Sequence, residues 1–419
     1  MASVGFSQQA YAQANSVLVE TAIPDSFNRD RNVSVTERAR PDFDPLGFQS
    51  GSIIVRPQVQ VGAGVTDNVF LQNAGGRTDG FSYVAPTITL QSDLPQDEIR
   101  ASATAMLGRY FKYTRRNQNA YQLRLLGRKD IGSAFALTGE GQYARIYETP
   151  DTGAVDAVTS VLSTYKRGYL AARGRYRAGQ FQGTLALDRT SFSFDDVRYS
   201  DGSVLNQEYR DQIMWRVTGE AQYALSPSLS FYGQVGLSKI DYSTLNFGRP
   251  NRDSEGYRII GGVNFDLAGF MRGKIGVGYI NRDYDSVIYK DADGLSAEAL
   301  IEFFPTELTT VGIGVSRTLQ DTAISGNSGA FFDNAFKLTV DHELLVNLLL
   351  GASGEYRRQI YSEPTRKANF YRLGGSATYF ARRELAFKGL LQFQRRTNDA
   401  SANGSFNEFR AELSVVFRR

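Results

Sequence analysis

The residues of this chain best placed to do chemistry are charged and lie on one parity of extended segments. Arg56, Arg124, Arg167, Arg173, Arg216, Arg258, Arg272, Lys274, Arg372, Lys388 and Arg410 share that parity with Glu140, Asp188, Glu220, Glu298, Glu302, Glu355 and Glu412. A row of unlike charges along extended backbone acts electrostatically and makes no bonds. It pairs across strands and stiffens a wall, or it sets the charge of a water-filled passage. Both readings stand at the level of sequence. Covalent chemistry has far less to work with. The chain has no cysteine and one histidine, which removes disulfides, thiolate metal sites, cysteine nucleophiles and any mechanism that needs two histidines. We expect no enzymatic activity, no cofactor and no metal.

Local motifs do not alter that reading. "PDTGA" at Pro150 to Ala154 resembles an aspartic-protease half-site, but the dyad needs a second such aspartate and none follows. Asp283, Asp285, Asp291 and Asp293 cluster around "YKDADG", yet lack the twelve-residue ligand order of an EF-hand. A solvated acidic loop is the reading preferred. His342 falls in "VDHELL", read as a turn. "GKIGVG" from Gly273 to Gly278 lies in a strand with no helix after it, so it is not a phosphate loop, and its glycines are expected to relieve crowding inside a curved sheet.

The elements that must hold the charged residues are strands. After Gly51, apolar and polar side chains alternate almost everywhere. In the closing "NEFRAELSVVFRR", Phe409, Ala411, Leu413, Val415 and Phe417 oppose Glu408, Arg410, Glu412 and Ser414. Period two marks strands and not helices, and no apolar stretch is long enough for a spanning helix. Short links such as "YRAGQ", "LSPS", "FPTE" and "ARRE" alternate with long ones such as "DDVRYSDGSVLNQE". That rhythm predicts an all-β, closed antiparallel transmembrane barrel of about eighteen strands over residues 51–419, with turns and both termini in the periplasm and loops outside. A closed barrel puts oil outward against lipid and charge inward, because unpaired backbone groups cannot remain in hydrocarbon. A guanidinium at Leu413 or Val217 should therefore be costly, and the same change at Ser414 or Thr218 far milder. Tyr110, Phe111, Tyr223, Tyr279, Phe303, Tyr379 and Phe417 are expected in interfacial girdles.

The expected location is the bacterial outer membrane, with outer-membrane lipid and lipopolysaccharide around the barrel. Phe417 resembles the terminal aromatic read by the barrel assembly machinery, although two arginines follow it. The balance of 47 basic and 44 acidic residues, +3 overall, does not point to nucleic acid. Residues 1–14, with Ala10, Ala12 and Ala14, read as the remnant of a signal peptide, or alternatively as an Ala/Gln-rich disordered terminus. Residues 15–50 read as a polar N-terminal segment, in the periplasm or tucked into the lumen.

The stretch "RARPDFDPLGFQSGSIIVRPQVQVGAGVTDNVF", Arg38 to Phe70, resembles the opening of an outer-membrane β-barrel porin family of Gram-negative bacteria. Arg40, Pro41, Asp44, Pro45, Gly47, Gly51, Asp67, Asn68, Val69 and Phe70 carry the likeness, with Thr66 where an acidic residue is common. The resemblance implies association with exopolysaccharide export, the barrel being the polymer's exit and a periplasmic export lipoprotein a partner. The turn Asp44, Pro45, Leu46 and Gly47 is the expected docking point for such a partner. Two other readings stay open, a general or small-solute diffusion porin and a non-conducting scaffold barrel.

Overall fold

The computed structural model describes residues 33–94, 97–148, 162–198, 203–244, 248, 250–267, 269–321, 329–361, 366–399 and 405–419. The expected signal-peptide remnant, residues 15–32 and the "PDTGA" stretch lie outside these. Eighteen long antiparallel strands, from Ile53–Thr66 to Phe406–Arg418, together with the short Phe48–Ser50, form one nineteen-stranded sheet. Long strands run from 13 residues (Phe135–Tyr147) to 17 (Arg366–Arg382). The sheet closes where the first strand pairs with the last, from Gln58 opposite Arg418 to Thr66 opposite Arg410. Closure leaves no long strand with an open edge.

One end carries tight turns at 179–180, 227–228, 307–308, 346–347 and 383–384, and both described chain ends lie there. The other carries the longer links, among them 67–78, 148–163 and 195–211. The last of these is tied down: buried Arg210 donates to the Glu148 carboxylate at 2.6 and 2.9 Å and stacks over Phe194. Nearby, burial alone would raise the Asp195 carboxyl, but the Thr164 hydroxyl at 2.8 Å, with Lys166 and Arg145, holds it below the usual carboxylate range.

Burial is inverted relative to a globular protein. In the last strand Leu413 is 74% exposed while Ser414 is 8% exposed. Val61, Leu123, Leu187, Val235, Val277, Leu295 and Leu391 are likewise exposed on the outer face. An apolar belt of this extent belongs in lipid. Exposed outward aromatics flank it, with Phe181, Tyr223, Tyr379 and Phe417 toward the turn end and Trp215, Tyr279, Tyr371 and Phe409 toward the loop end. Two sequence expectations need correction. Tyr110 is not in a girdle, because the parity of Asp97–Tyr110 turns it inward, where its ring lies 5.5 Å from that of Phe81. His342 is not in a turn: it sits within Ala330–Leu345, faces outward and meets the Thr309 hydroxyl at 3.0 Å, the chain reversing only at 346–347.

Glycines on the inner face make room for tyrosines. Tyr232 lies across Gly262 and Gly276 on the next two strands, and its hydroxyl donates to Glu298 at 2.9 Å on the strand beyond. A Cβ at Gly262 would sit 2.6 Å from the Tyr232 ring, and one at Gly276 would overlap its hydroxyl. Tyr83 covers Gly62 in the same way, its hydroxyl accepting from Gln60 at 2.9 Å. The glycine-rich "GKIGVG" thus serves close side-chain approach. Gly276→Ala should push Tyr232 off its seat and lower stability by about 1 to 3 kcal/mol, read from urea unfolding of the barrel in lipid. An unchanged midpoint would mean that the tyrosine moves aside at no cost.

The described part of the N-terminal segment follows the inside of the turn-end rim. The Val35 amide donates to the Thr310 hydroxyl at 3.0 Å, Glu37 lies 3.5 Å from Arg272, and Arg38 reaches the Glu307 carbonyl. Further along, Arg383 donates to the Pro41 carbonyl and Arg418 to that of Phe43, each at 2.8 Å. Gly47, at φ +80°, packs against Ile54, Val55 and Arg56. The segment therefore runs along the rim from the Thr309–Asp321 strand round to the first strand. Its anchor is Arg40, which donates to Glu343 at 2.7 Å and to the carbonyls of Val35, Arg38 and Val346.

Candidate functional site: the inner wall

All seventeen charged positions singled out from the sequence as wall candidates, and Asp188 with them, fall on the inward parity of their strands. The structure sorts them by partner. On consecutive strands from Gln212–Ser226 to Ala292–Thr306, they form one network. Lys274 Nζ lies 3.2 Å from Glu298 and 3.6 Å from Glu220, and 4.3 Å from the Tyr232 ring centroid. Arg258 donates to Glu298 at 2.8 Å and to the Ser296 hydroxyl at 3.0 Å, and Gln234 donates to Glu220 at 2.8 Å. Arg272 is held between Glu302 and Glu37.

Elsewhere the pairs are more local. Arg124 meets Glu140 at 2.8 Å, and Arg216 forks onto both oxygens of buried Asp188 at 3.0 and 3.1 Å. Arg372 meets Glu355 at 2.9 Å, and Arg410 pairs with Glu412 on its own strand. Arg56 and Arg167 find neutral partners, the carbonyl oxygens of Gln91 at 3.0 Å and Gln142 at 2.9 Å. Lys388 points inward opposite Ser414. Most of the basic side chains named from the sequence thus have a carboxylate beside them, which holds the wall together. Sequence reading missed the buried pair of Arg357 with Asp333 and the pair of Arg128 with Asp130. Inward parity was the available signal for all four.

The turn Asp44 to Gly47, expected from the sequence to dock a partner, is partly explained by its own geometry. The Asp44 carboxylate accepts from the Arg40 amide at 2.5 Å, while the Phe43 and Asp44 amides donate back to the Arg40 carbonyl. Pro45 is half-buried, Gly47 is packed on the first strand, and Leu46 is exposed. The second half of the family-like stretch stitches the barrel closed. Asp67 accepts from the Phe409 amide at 2.8 Å, and Asn68 donates to the Asn407 carbonyl at 2.8 Å. Phe70 packs edge-on to Tyr113 under Arg116. The acidic loop residues have local duties: Asp291 accepts from the Tyr284 amide at 2.8 Å and Asp283 from Asn281 at 2.9 Å.

A closed sheet, an apolar belt outside and a charged wall inside define a transmembrane β-barrel of the porin type. The chain belongs to the family described as putative beta-barrel porin 2, whose model matches residues 40–419. Among solved structures it is similar to the outer membrane protein opdK from Pseudomonas aeruginosa, at 10% identity and a TM-score of 0.44 over 87% of this chain and 99% of that one. It is also similar to a BenF-like porin from Pseudomonas fluorescens Pf-5, at 10% identity and a TM-score of 0.47 over 88% and 99%. A third is the ferric enterobactin receptor PfeA from Pseudomonas aeruginosa, at 8% identity and a TM-score of 0.48 over 89% and 81%. No curated protein matches the chain by sequence.

Proposed function

We propose that this barrel is an outer-membrane channel that favours anions and serves as the exit of an acidic exopolysaccharide. The observation that carries the anion preference is the inner wall. Its pairs cancel most of the charge, yet Arg56 bonds to the neutral Gln91 and Arg177 to the neutral Gln182, and both add positive charge to the wall. Exposed charge pairs are worth only about 0 to 1 kcal/mol each, so repeated carboxylates of a polymer would be attracted at many points without being trapped. The export role is supported by the likeness of the Arg38 to Phe70 stretch, and the periplasmic placement of the turn end by the usual arrangement of such barrels.

In planar bilayers under a KCl gradient, the reversal potential should show mild anion selectivity. The effect should grow at low salt, where the Debye length exceeds about 10 Å. Cation selectivity, or none at any ionic strength, would remove the anion preference, and a silent barrel would favour a scaffold. Deleting the gene should abolish secreted acidic polymer; normal secretion would leave a small-solute channel as the better reading. Leu46 is the exposed member of the docking turn. A chain lacking residues 15–38 should still insert in membranes but lose export, and unchanged export would dismiss the partner.

A further inference from the structure

Arg173 and Arg175 stand out on the inner wall because the nearby carboxylates are already committed. Both lie on Thr164–Ala178 near the turn end, on the inward parity. Asp130 takes Arg128 at 3.0 Å through both oxygens. Glu140 takes Arg124 at 2.8 Å and Gln142 at 2.7 Å, and Asp188 takes Arg216. Among the described residues neither Arg173 nor Arg175 has a hydrogen-bonded or ion-paired partner, and Nε of Arg173 is buried with its donor unused. The two like charges are one strand repeat apart, roughly 7 Å along the backbone.

Their flanks are small. Arg173 stands between Thr138 and Ala186, and Arg175 between Ala136 and Thr184. None of these four neighbours carries a charge that could pair with either guanidinium. Arg177, two residues on, bonds only to the neutral Gln182, at 2.8 and 3.1 Å, and so adds positive charge without a counter-ion. Two guanidiniums one repeat apart, neither of them ion-paired, repel one another. An oxyanion between them would relieve that repulsion and accept charge-assisted hydrogen bonds in the forked geometry that suits carboxylate and phosphate.

We propose that Arg173 and Arg175 form an oxyanion-binding site on the inner wall, taking carboxylate- or phosphate-bearing solutes. This deepens the anion-channel reading, on which its meaning for transport rests. The test is calorimetric titration of the folded barrel in detergent at low ionic strength, with citrate and inorganic phosphate as separate probes. At least one probe should bind, and its affinity should fall as KCl is added. In Arg173→Gln/Arg175→Gln the affinity should drop by about tenfold or more, the loss expected for about 1.4 kcal/mol or more of binding energy. Lys129→Gln/Lys239→Gln, which removes two cations from the outer face, should bind as the wild type does. Gel mobility with and without heating confirms that both variants are folded. Binding of citrate alone would mark a carboxylate site, and of phosphate as well a general oxyanion site. Absence of binding to the wild type, or equal affinity in the Arg173→Gln/Arg175→Gln barrel, would overturn the proposal. Because binding is read at equilibrium, a barrel that binds but does not conduct would overturn the channel reading and leave this site standing.

Discussion

Arg40→Ala should cost about 3 to 5 kcal/mol and free the N-terminal segment from the rim, since removing one partner of a buried pair strands the other. Arg40 is 5% exposed and its partner Glu343 is 6% exposed. Beyond the 2.7 Å contact to that carboxylate, Arg40 satisfies three carbonyls and stacks over Phe380 at 6.0 Å. Arg38 also reaches Glu343 at 3.4 Å, but from a more exposed position, so it would soften the loss without replacing it. Hydrogen exchange should rise in residues 33–47 while the strands stay protected, and the urea midpoint should fall. A companion change, Glu343→Gln, removes the stranded charge, so the double variant should recover part of the loss. If Arg40→Ala lies within about 0.5 kcal/mol of wild type, as an ordinary surface change would, then the segment is not held by this pair.

Leu413→Arg should cost about 2 to 4 kcal/mol, because it places a guanidinium on the outer face in the middle of a strand, at the depth of the lipid core. The sharpest control is another exposed leucine. Leu300 faces inward, directly opposite Lys274 and between Glu298 and Glu302 along its strand. Leu300→Arg should cost less than about 1 kcal/mol, since the added cation meets both carboxylates as well as one cation. Equal losses of heat-modifiable folded barrel in the two variants would show that inside and outside have been exchanged. The controls suggested by parity alone, Ser414 and Thr218, suit the purpose less well. Thr218 is fully buried and Ser414 already accepts from Gln60 at 2.9 Å, so a guanidinium at either would be crowded by the wall itself.

The sequence by itself determined the class of fold, the strand number and the facing of nearly every side chain. Side-chain alternation is a local property of extended backbone, so Leu413 and Ser414 are assigned to opposite faces by one bond angle and the next. The same local rule placed all the charged wall residues on the inner face. It could not say which of them meet, because partners on neighbouring and more distant strands are fixed by stagger and closure, which no single strand contains. Tertiary structure alone brought Tyr232 over two glycines to Glu298, gave Arg216 to Asp188, and left Arg173 and Arg175 beside carboxylates already paired with other arginines. It also decided that Arg40, seven residues before the first turn into the sheet, crosses to Glu343 some three hundred residues away. A contact of that sequence separation leaves no periodic trace, and only the closed barrel, which carries the chain's start back past its fourteenth strand, makes it possible.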